Sequence, residues 1–261
     1  MTSIRASSIS DFLDCAARAE AKHLLGLRVP TSSKALLGSA VHASTAVYDR
    51  STMEHAGITV DEAAAAAVDT LQHPEEDIIW DDPVTAIEPV AIALHTKYCT
   101  EIAPQQTYRA VEVTCDELHI SDLAITLTGT TDRIYQVGDE YGVTDIKTGK
   151  TAVSPEGRAK TWGHAFQLGT YELLAQFGSG LPITLPAQIV GLQTGKTPKA
   201  QRAAIGTVTG ARDTLIGDGD SPGVLSIVAG MIHSGLFPGN PRSMFCHEKY
   251  CPIFNRCKFR R

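Results

Sequence analysis

The hydrophobic period of this chain first changes at Pro104, and that change limits the folds open to it. Upstream, apolar residues recur at helical spacing. Ser8-Ile9-Ser10-Asp11 reads as a helix start, followed by Ile9, Phe12, Leu13, Ala16, Ala17 and Leu24 on one stripe and by Gly26 as a stop. A second helix is predicted over 38–54, with Val41, Thr45 and Tyr48 on one side. An Ala-rich helix follows over 61–72, then an acidic, irregular stretch at 73–83 and a helix over 84–102. Downstream, 108–119, 123–137 and 141–146 alternate or cluster β-branched residues between turn residues and read as three consecutive strands. Residues 162–177 return to helical spacing and stop at Gly178. Residues 186–194 and 203–209 read as two more strands, and 224–236 as a last helix. This order predicts an α/β fold in which helices cover one face of a sheet.

With 261 residues, 43% of them hydrophobic, the chain can bury a proper core as one large domain or a domain with an appended lobe. The first residues, MTSIRASSISDF, hold no apolar signal core, and no apolar run reaches the roughly 20 residues that span a bilayer. The expectation is a soluble cytoplasmic protein with no membrane contact. In a reducing cytosol its six cysteines would be thiols or metal ligands rather than disulfides. The net charge of −6 argues against nucleic acid, but its distribution does not. Residues 142–202 carry seven Lys/Arg against three Asp/Glu, and residues 242–261 carry six against one. A basic face on an acidic body can still grip a phosphate backbone, because the contact is local and screened within about 10 Å.

The chemistry concentrates in Gly129-Thr-Thr-Asp132-Arg133 and Val143-Thr-Asp145-Ile146-Lys147-Thr-Gly149. On a strand, alternate side chains share a face, so Asp145 and Lys147 point one way while Ile146 points into the core. Asp132 comes after a change of phase in the preceding strand, and a bulge at Gly129 is expected to aim it at Asp145. Two carboxylates brought together repel unless a cation joins them, and oxygen ligands of this kind suit Mg²⁺ or Mn²⁺. Such an ion polarises a phosphate oxygen and lowers the pKa of a bound water. Lys147 would orient that water or neutralise charge growing on the phosphate. Glu112, on the strand before, is a candidate for a further oxygen. Taken alone, Asp-x-Lys describes an ordinary surface ion pair. The ordered set of Glu, Gly-x-x-Asp-Arg and Asp-x-Lys-Thr-Gly on three successive strands is much rarer.

That set resembles the RecB-like branch of the PD-(D/E)XK nucleases. Within it, the chain is most similar to the iron–sulfur exonucleases related to the CRISPR-associated single-strand exonuclease family and found also in phages. The resemblance runs from Ser8 to Cys257, with only about residues 50–105 lacking matching motifs. It implies a restriction-endonuclease-like core, a mixed central sheet flanked by helices, with 50–105 a helical insertion. Gly38-Ser-Ala-Val-His42 matches the family's Gly-x-x-x-His, which implies that His42 is a metal ligand; without the resemblance it reads as a helix-surface histidine. Gln167-Leu-Gly-Thr-Tyr171 matches a Gln-x-x-x-Tyr motif. Its i, i+4 spacing places both side chains on one helical face, where they could position the scissile strand. Two positions depart from the usual pattern: Thr131 replaces Pro before Asp132, and Asp145 replaces Glu.

The tail reads Cys246-His-Glu-Lys-Tyr-Cys251-Pro-Ile-Phe-Asn-Arg-Cys257, a run of soft ligands. Together with Cys15, it matches the family pattern of one N-terminal and three C-terminal cysteines. This implies a 4Fe–4S cluster joining residues 1–30 to residues 237–261 as a lobe of a single nuclease domain. The gap from Cys246 to Cys251 is wider than in many relatives, which leaves a four-cysteine zinc site as the alternative, with His247 able to replace one thiol. Cys99 and Cys115 are expected in the core.

Gly191-Leu-Gln-Thr-Gly195-Lys196-Thr197 imitates a phosphate-binding loop but is one residue short, and a strand follows where a helix is needed. ATP binding is therefore not expected. The loop at 194–202, with Lys196, Lys199 and Arg202, is expected to be a hairpin tip able to touch a DNA backbone. No motor motif accompanies it, so the chain should not unwind duplex alone. The resemblance implies hydrolysis of DNA phosphodiesters, single-stranded and from an end, in recombination, repair or phage DNA metabolism. Asp132, Asp145, His42 and the Ile146 carbonyl would hold the ion. A helicase or recombination partner and self-association are both compatible with it. The competing reading is a non-catalytic DNA-binding module stabilised by the cysteine site.

Overall fold

The computed structural model describes residues 2–260. Strand β1 (Thr2–Arg5) leads into two short helices, α1 (Ile9–Asp14) and α2 (Ala16–Ala19), and a π-helical turn at Glu20–Leu24. Next come β2 (Thr31–Ser32), the long helix α3 (Ser33–Met53), α4 (Val60–Gln72), β3 (Ile78–Ile79) and α5 (Val84–Lys97), which ends in a second π turn at Tyr98–Ile102. Strands β4 (Tyr108–Ile120), β5 (Ile125–Val137) and β6 (Glu140–Gly149) form the meander. Helix α6 (Ala165–Ser179), strands β7 (Ala187–Gln193) and β8 (Arg202–Val208), and helices α7 (Ala211–Ile216) and α8 (Val224–Ser234) complete the order. Among the described residues, no helix is long and apolar enough to cross a membrane.

The main sheet has six strands and is mixed. β4 pairs antiparallel along β5, whose other edge is divided. β1 takes residues 125–128 in parallel, and β6 takes residues 133–137 antiparallel. β6 then leaves β5 and continues parallel to β7, which β8 extends antiparallel.

Helices cover both faces, not one. Leu168, Leu174, Leu215 and Val228 pack with Ile9 and Phe12 against Leu127, Ile134, Val143 and Ile189. On the other face Leu36, Val41, Leu71, Ile87 and Leu94 pack against Ile146, Val190 and Leu192. The second layer is the N-terminal helical block, which sequence order alone does not place on the sheet.

Three boundaries differ from expectation for local reasons. The first helix is broken at Cys15, which is extended at φ −153° and ψ 97°. The second helix starts at Ser33 rather than at 38, because the Ser32 hydroxyl caps it by accepting from Ala35 N at 3.2 Å. β1 and α7 were not expected: each is too short to show a period.

Candidate active site and cysteine pocket

The last cross-strand pair between β5 and β6 is Arg133–Thr144. The next residues in register are Asp132 and Asp145, so the two carboxylates face each other where the strands part. This parting, rather than a bulge at Gly129, aims Asp132. The irregularities of this region lie on β4, between Cys115 and Leu118 and at Glu112, whose φ is +52°. Asp132 Oδ2 accepts from the Ile146 backbone N–H at 2.8 Å, filling the place of a lost strand neighbour. The Asp145 side chain is 2% exposed. Lys147 Nζ lies 2.9 Å from its Oδ1 and 2.7 Å from its Oδ2, yet only Oδ1 is placed to accept a hydrogen bond. Asp145 Oδ2 is buried and paired with the Lys147 ammonium, but without an aligned hydrogen bond.

His42 reaches the same point from α3. Its Nε2 is 2.7 Å from the Ile146 carbonyl and its Nδ1 is 3.4 Å from Asp132 Oδ2. The glycine of Gly-x-x-x-His has a steric reason here: a Cβ at Gly38 would stand 2.9 Å from Thr148 Oγ1, so only glycine lets α3 lie this close to β6.

The charges respond to this crowding. Burial, then the neighbouring Asp132 charge, push the Asp145 carboxyl up to about 6 against the pull of Lys147. Burial acts on Asp132 too, but His42, the Ile146 N–H and Lys147 together hold it below the usual carboxylate range. Burial would lower His42, yet the two carboxylates raise it. The pair therefore attracts positive charge, which a proton on His42 supplies in part. Among the described residues, no three His, Cys, Asp or Glu side chains already stand close enough to enclose an ion. In kind, two carboxylates, an imidazole and a backbone carbonyl suit a hard divalent cation.

Other expected residues fall on either side of this point. Gln167 Nε2 donates to the Tyr171 hydroxyl at 2.8 Å, and burial with the nearby Asp145 and Asp132 charges raises the Tyr171 phenol. Glu112 does not join the pair. Its carboxylate is bound by the Arg50 guanidinium at the surface, because the left-handed backbone at 112 interrupts strand alternation. The imitation phosphate loop is the tip of the β7–β8 hairpin.

A supporting network escaped sequence reasoning. Arg133 is fully buried. Its Nε donates to Asp49 Oδ2 at 2.6 Å, its Nη2 to Thr45 Oγ1 at 3.2 Å and its Nη1 to the Asp132 carbonyl at 2.8 Å. Tyr98 OH donates to the same Asp49 oxygen at 2.6 Å. The helix bearing His42 is thereby tied to the strand bearing Asp132. The available signal was polar spacing on α3: His42, Thr45 and Asp49 recur at i, i+3 and i+7.

The other cysteines behave as two groups. Cys99 and Cys115 are buried in the cores. Cys15, Cys246, Cys251 and Cys257 line one pocket, together with Arg18 and Phe254. The helix break at Cys15 turns it toward the tail, where its sulfur accepts from Asn240 N at 3.3 Å. Asn240 Nδ2 and Ser243 Oγ bind Asp14. Burial, with Cys15 and Cys257 nearby, raises the Cys251 thiol. Arg18 Nε, on the same pocket, is buried without an acceptor. His247 is not on the pocket wall; its Nδ1 accepts from Lys249 N at 3.1 Å.

The model of one protein family, described as the PD-(D/E)XK nuclease superfamily, matches residues 3–258. No curated protein matches the chain significantly. Members of that superfamily are generally metal-dependent nucleases, and with its model matched over nearly the whole length, the chain belongs to the PD-(D/E)XK nuclease superfamily.

Proposed function

We propose that this nuclease is a metal-dependent DNA exonuclease of the RecB-like, iron–sulfur type. It would digest single-stranded ends in recombination, repair or phage DNA metabolism. The observation that carries the reading is the meeting of Asp132, Asp145, His42 and the Ile146 carbonyl where β5 and β6 part, with Lys147 alongside. These four groups would hold Mg²⁺ or Mn²⁺, which when bound polarises a phosphate oxygen and acidifies a water. The Lys147 ammonium, fixed by Asp145, orients the attacking water or offsets charge on the phosphate. Gln167 and Tyr171, linked by their hydrogen bond, position the scissile strand. The Arg133–Asp49 pair keeps α3 and β5 in register so that the ligands stay opposed.

We propose a 4Fe–4S cluster for the pocket that Cys15, Cys246, Cys251 and Cys257 border, with zinc as the alternative, and with it a lobe made of residues 1–30 and 237–261. The unsatisfied Arg18 Nε would face an electron-rich cluster.

Labelled single-stranded DNA with Mn²⁺ tests the nuclease reading. Lys147→Ala is expected to lose on the order of 10³-fold in cleavage rate while DNA affinity is kept. Equal inactivity of wild type and variant, with DNA bound by both, would leave only a binding module. A visible spectrum tests the cluster: brown protein is expected, and colourless protein carrying one zinc would replace it.

A further inference from the structure

Trp162 is the most exposed of the chain's two tryptophans, at 75% against 45% for Trp80. Its place is rigid. The segment before it forms a small hairpin, with Val153 bridged to Ala159, Lys160 N donating to Ala152 O at 2.8 Å and Ser154 N to Arg158 O at 2.8 Å. Arg202, from β8, donates to Ser154 O at 3.0 Å. A Cβ at Gly206 would meet Thr161 Cγ2 at 2.6 Å, so the strand beneath has given up a side chain to seat the hairpin. On this mount Lys160 Nζ sits 4.0 Å from the centroid of the indole, and most of the ring is open to solvent. Exposed indole normally seeks cover, since a tryptophan offers a large apolar area.

The platform lies on the connection between β6, which carries Asp145 and Lys147, and α6, which carries Gln167 and Tyr171. Two residues on from Trp162, His164 caps the N-terminal end of α6. One turn further, Gln167 meets Tyr171, which senses Asp145 and Asp132. The segments around the indole, 147–163 and 194–202, carry seven Lys and Arg against one acid, Glu156. An aromatic face within a basic field is the arrangement that holds a single strand, with bases stacked and phosphates paired.

We infer that Trp162 is a stacking platform for a nucleobase of single-stranded DNA beside the scissile phosphate, with Lys160 pairing the adjoining backbone. The inference rests on the nuclease reading and deepens it. Duplex bases are not free to stack on it, so Trp162 confers the preference for single strands.

Fluorescence of the full-length protein in EDTA, where no cleavage occurs, reads this directly. In Trp80→Phe protein, Trp162 is the sole indole, and oligothymidylate should quench it saturably. Trp162→Phe protein should show no such quench. By anisotropy, Trp162→Ala should bind the same labelled oligonucleotide about tenfold more weakly, with Trp162→Phe keeping most of the affinity. Mn²⁺-dependent hydrolysis of bis(p-nitrophenyl) phosphate, too small to reach the platform, should be unchanged in both variants. Binding of the oligonucleotide with no quench of Trp162, or with equal affinity in Trp162→Ala, would overturn the inference and mark the indole as a contact for a protein partner. Equal loss of the small-ester activity would make Trp162 a structural residue. Quench without any cleavage by wild-type protein would sink the nuclease reading alone.

Discussion

The carboxylate centre and the cysteine pocket each leave one buried polar atom unsatisfied, and the two are of opposite kind. Asp145 Oδ2 is an acceptor met only by the Lys147 ammonium at 2.7 Å, without an aligned hydrogen bond, and Arg18 Nε is a donor without an acceptor. One site asks for a cation and the other for something electron-rich. They differ as much in how they are held. The carboxylates sit on central strands, opposed by the register of a sheet and braced by Arg133 between β5 and α3. The cysteines come from the two ends of the chain, joined across more than two hundred residues by a few hydrogen bonds that Asn240 and Ser243 donate to Asp14 and Cys15. The first site is built by the fold and lends it little. The second would contribute to the fold through the metal group proposed for it.

Removing one thiol should therefore break the comparison most visibly. A group that binds only the folded state adds its binding free energy to stability, on the order of 10 kcal/mol for structural zinc in small domains. Cys257→Ala should give colourless, poorly soluble protein with a strongly lowered Tm, while Lys147→Ala, which leaves only Asp145 without its ammonium partner, should lower Tm less and leave the colour unchanged. Brown, stable Cys257→Ala protein would count against its role as a ligand.

The bracing of the carboxylates comes next. Asp49 and Arg133 are both buried, at 2% and 1% side-chain exposure, and truncating one strands the other's charge. Asp49→Ala should cost about 3–5 kcal/mol in denaturant unfolding. Because Arg133 also holds the Asp132 carbonyl, the variant should lose Mn²⁺ affinity, read by isothermal titration, beyond any loss in Asp49→Asn. Wild-type metal affinity in a destabilised Asp49→Ala protein would reduce the pair to a packing role.

These two regions were not equally legible in the sequence. Strand alternation gave Asp145 and Lys147 a common face without further help, and the meander of β4, β5 and β6 followed from period 2. What aims Asp132 was not readable, since it depends on where β6 abandons β5 for β7, a pairing between distant segments. Glu112 was misplaced for a local reason: a single left-handed residue defeats alternation. Asp49 looked like one polar residue on a helix, because its partner lies 84 residues away on a strand. The cysteine grouping came from resemblance, whereas the break at Cys15 that presents the thiol lies inside an apparently unbroken helical stripe.

The smallest effect concerns acid. Asp11 binds Arg18, Lys22 and His23, with distances of 2.7, 3.1 and 2.7 Å. Burial alone would raise its carboxyl, but the hydrogen bond from His23 and the Lys22 and Arg18 charges hold it well below the usual range. A folded pKa under the unfolded value means that the unfolded chain binds more protons as pH falls. The stability Asp11 supplies is then complete above about pH 5 and is lost as pH drops through 4 toward the folded pKa. Arg18 also lies over Phe245, its guanidinium carbon 4.5 Å from the ring centroid, so the loosening reaches the cysteine pocket. In the carboxylate centre Asp132 is lowered and Asp145 raised, and their slopes oppose. Asp11→Asn should therefore flatten the acid limb of the stability profile by about 1–2 kcal/mol between pH 5 and pH 3, measured by urea unfolding of metal-loaded protein. An unchanged limb would mean that the ring of cations around Asp11 keeps its hold through other partners, and that the cysteine end is the less acid-sensitive of the two.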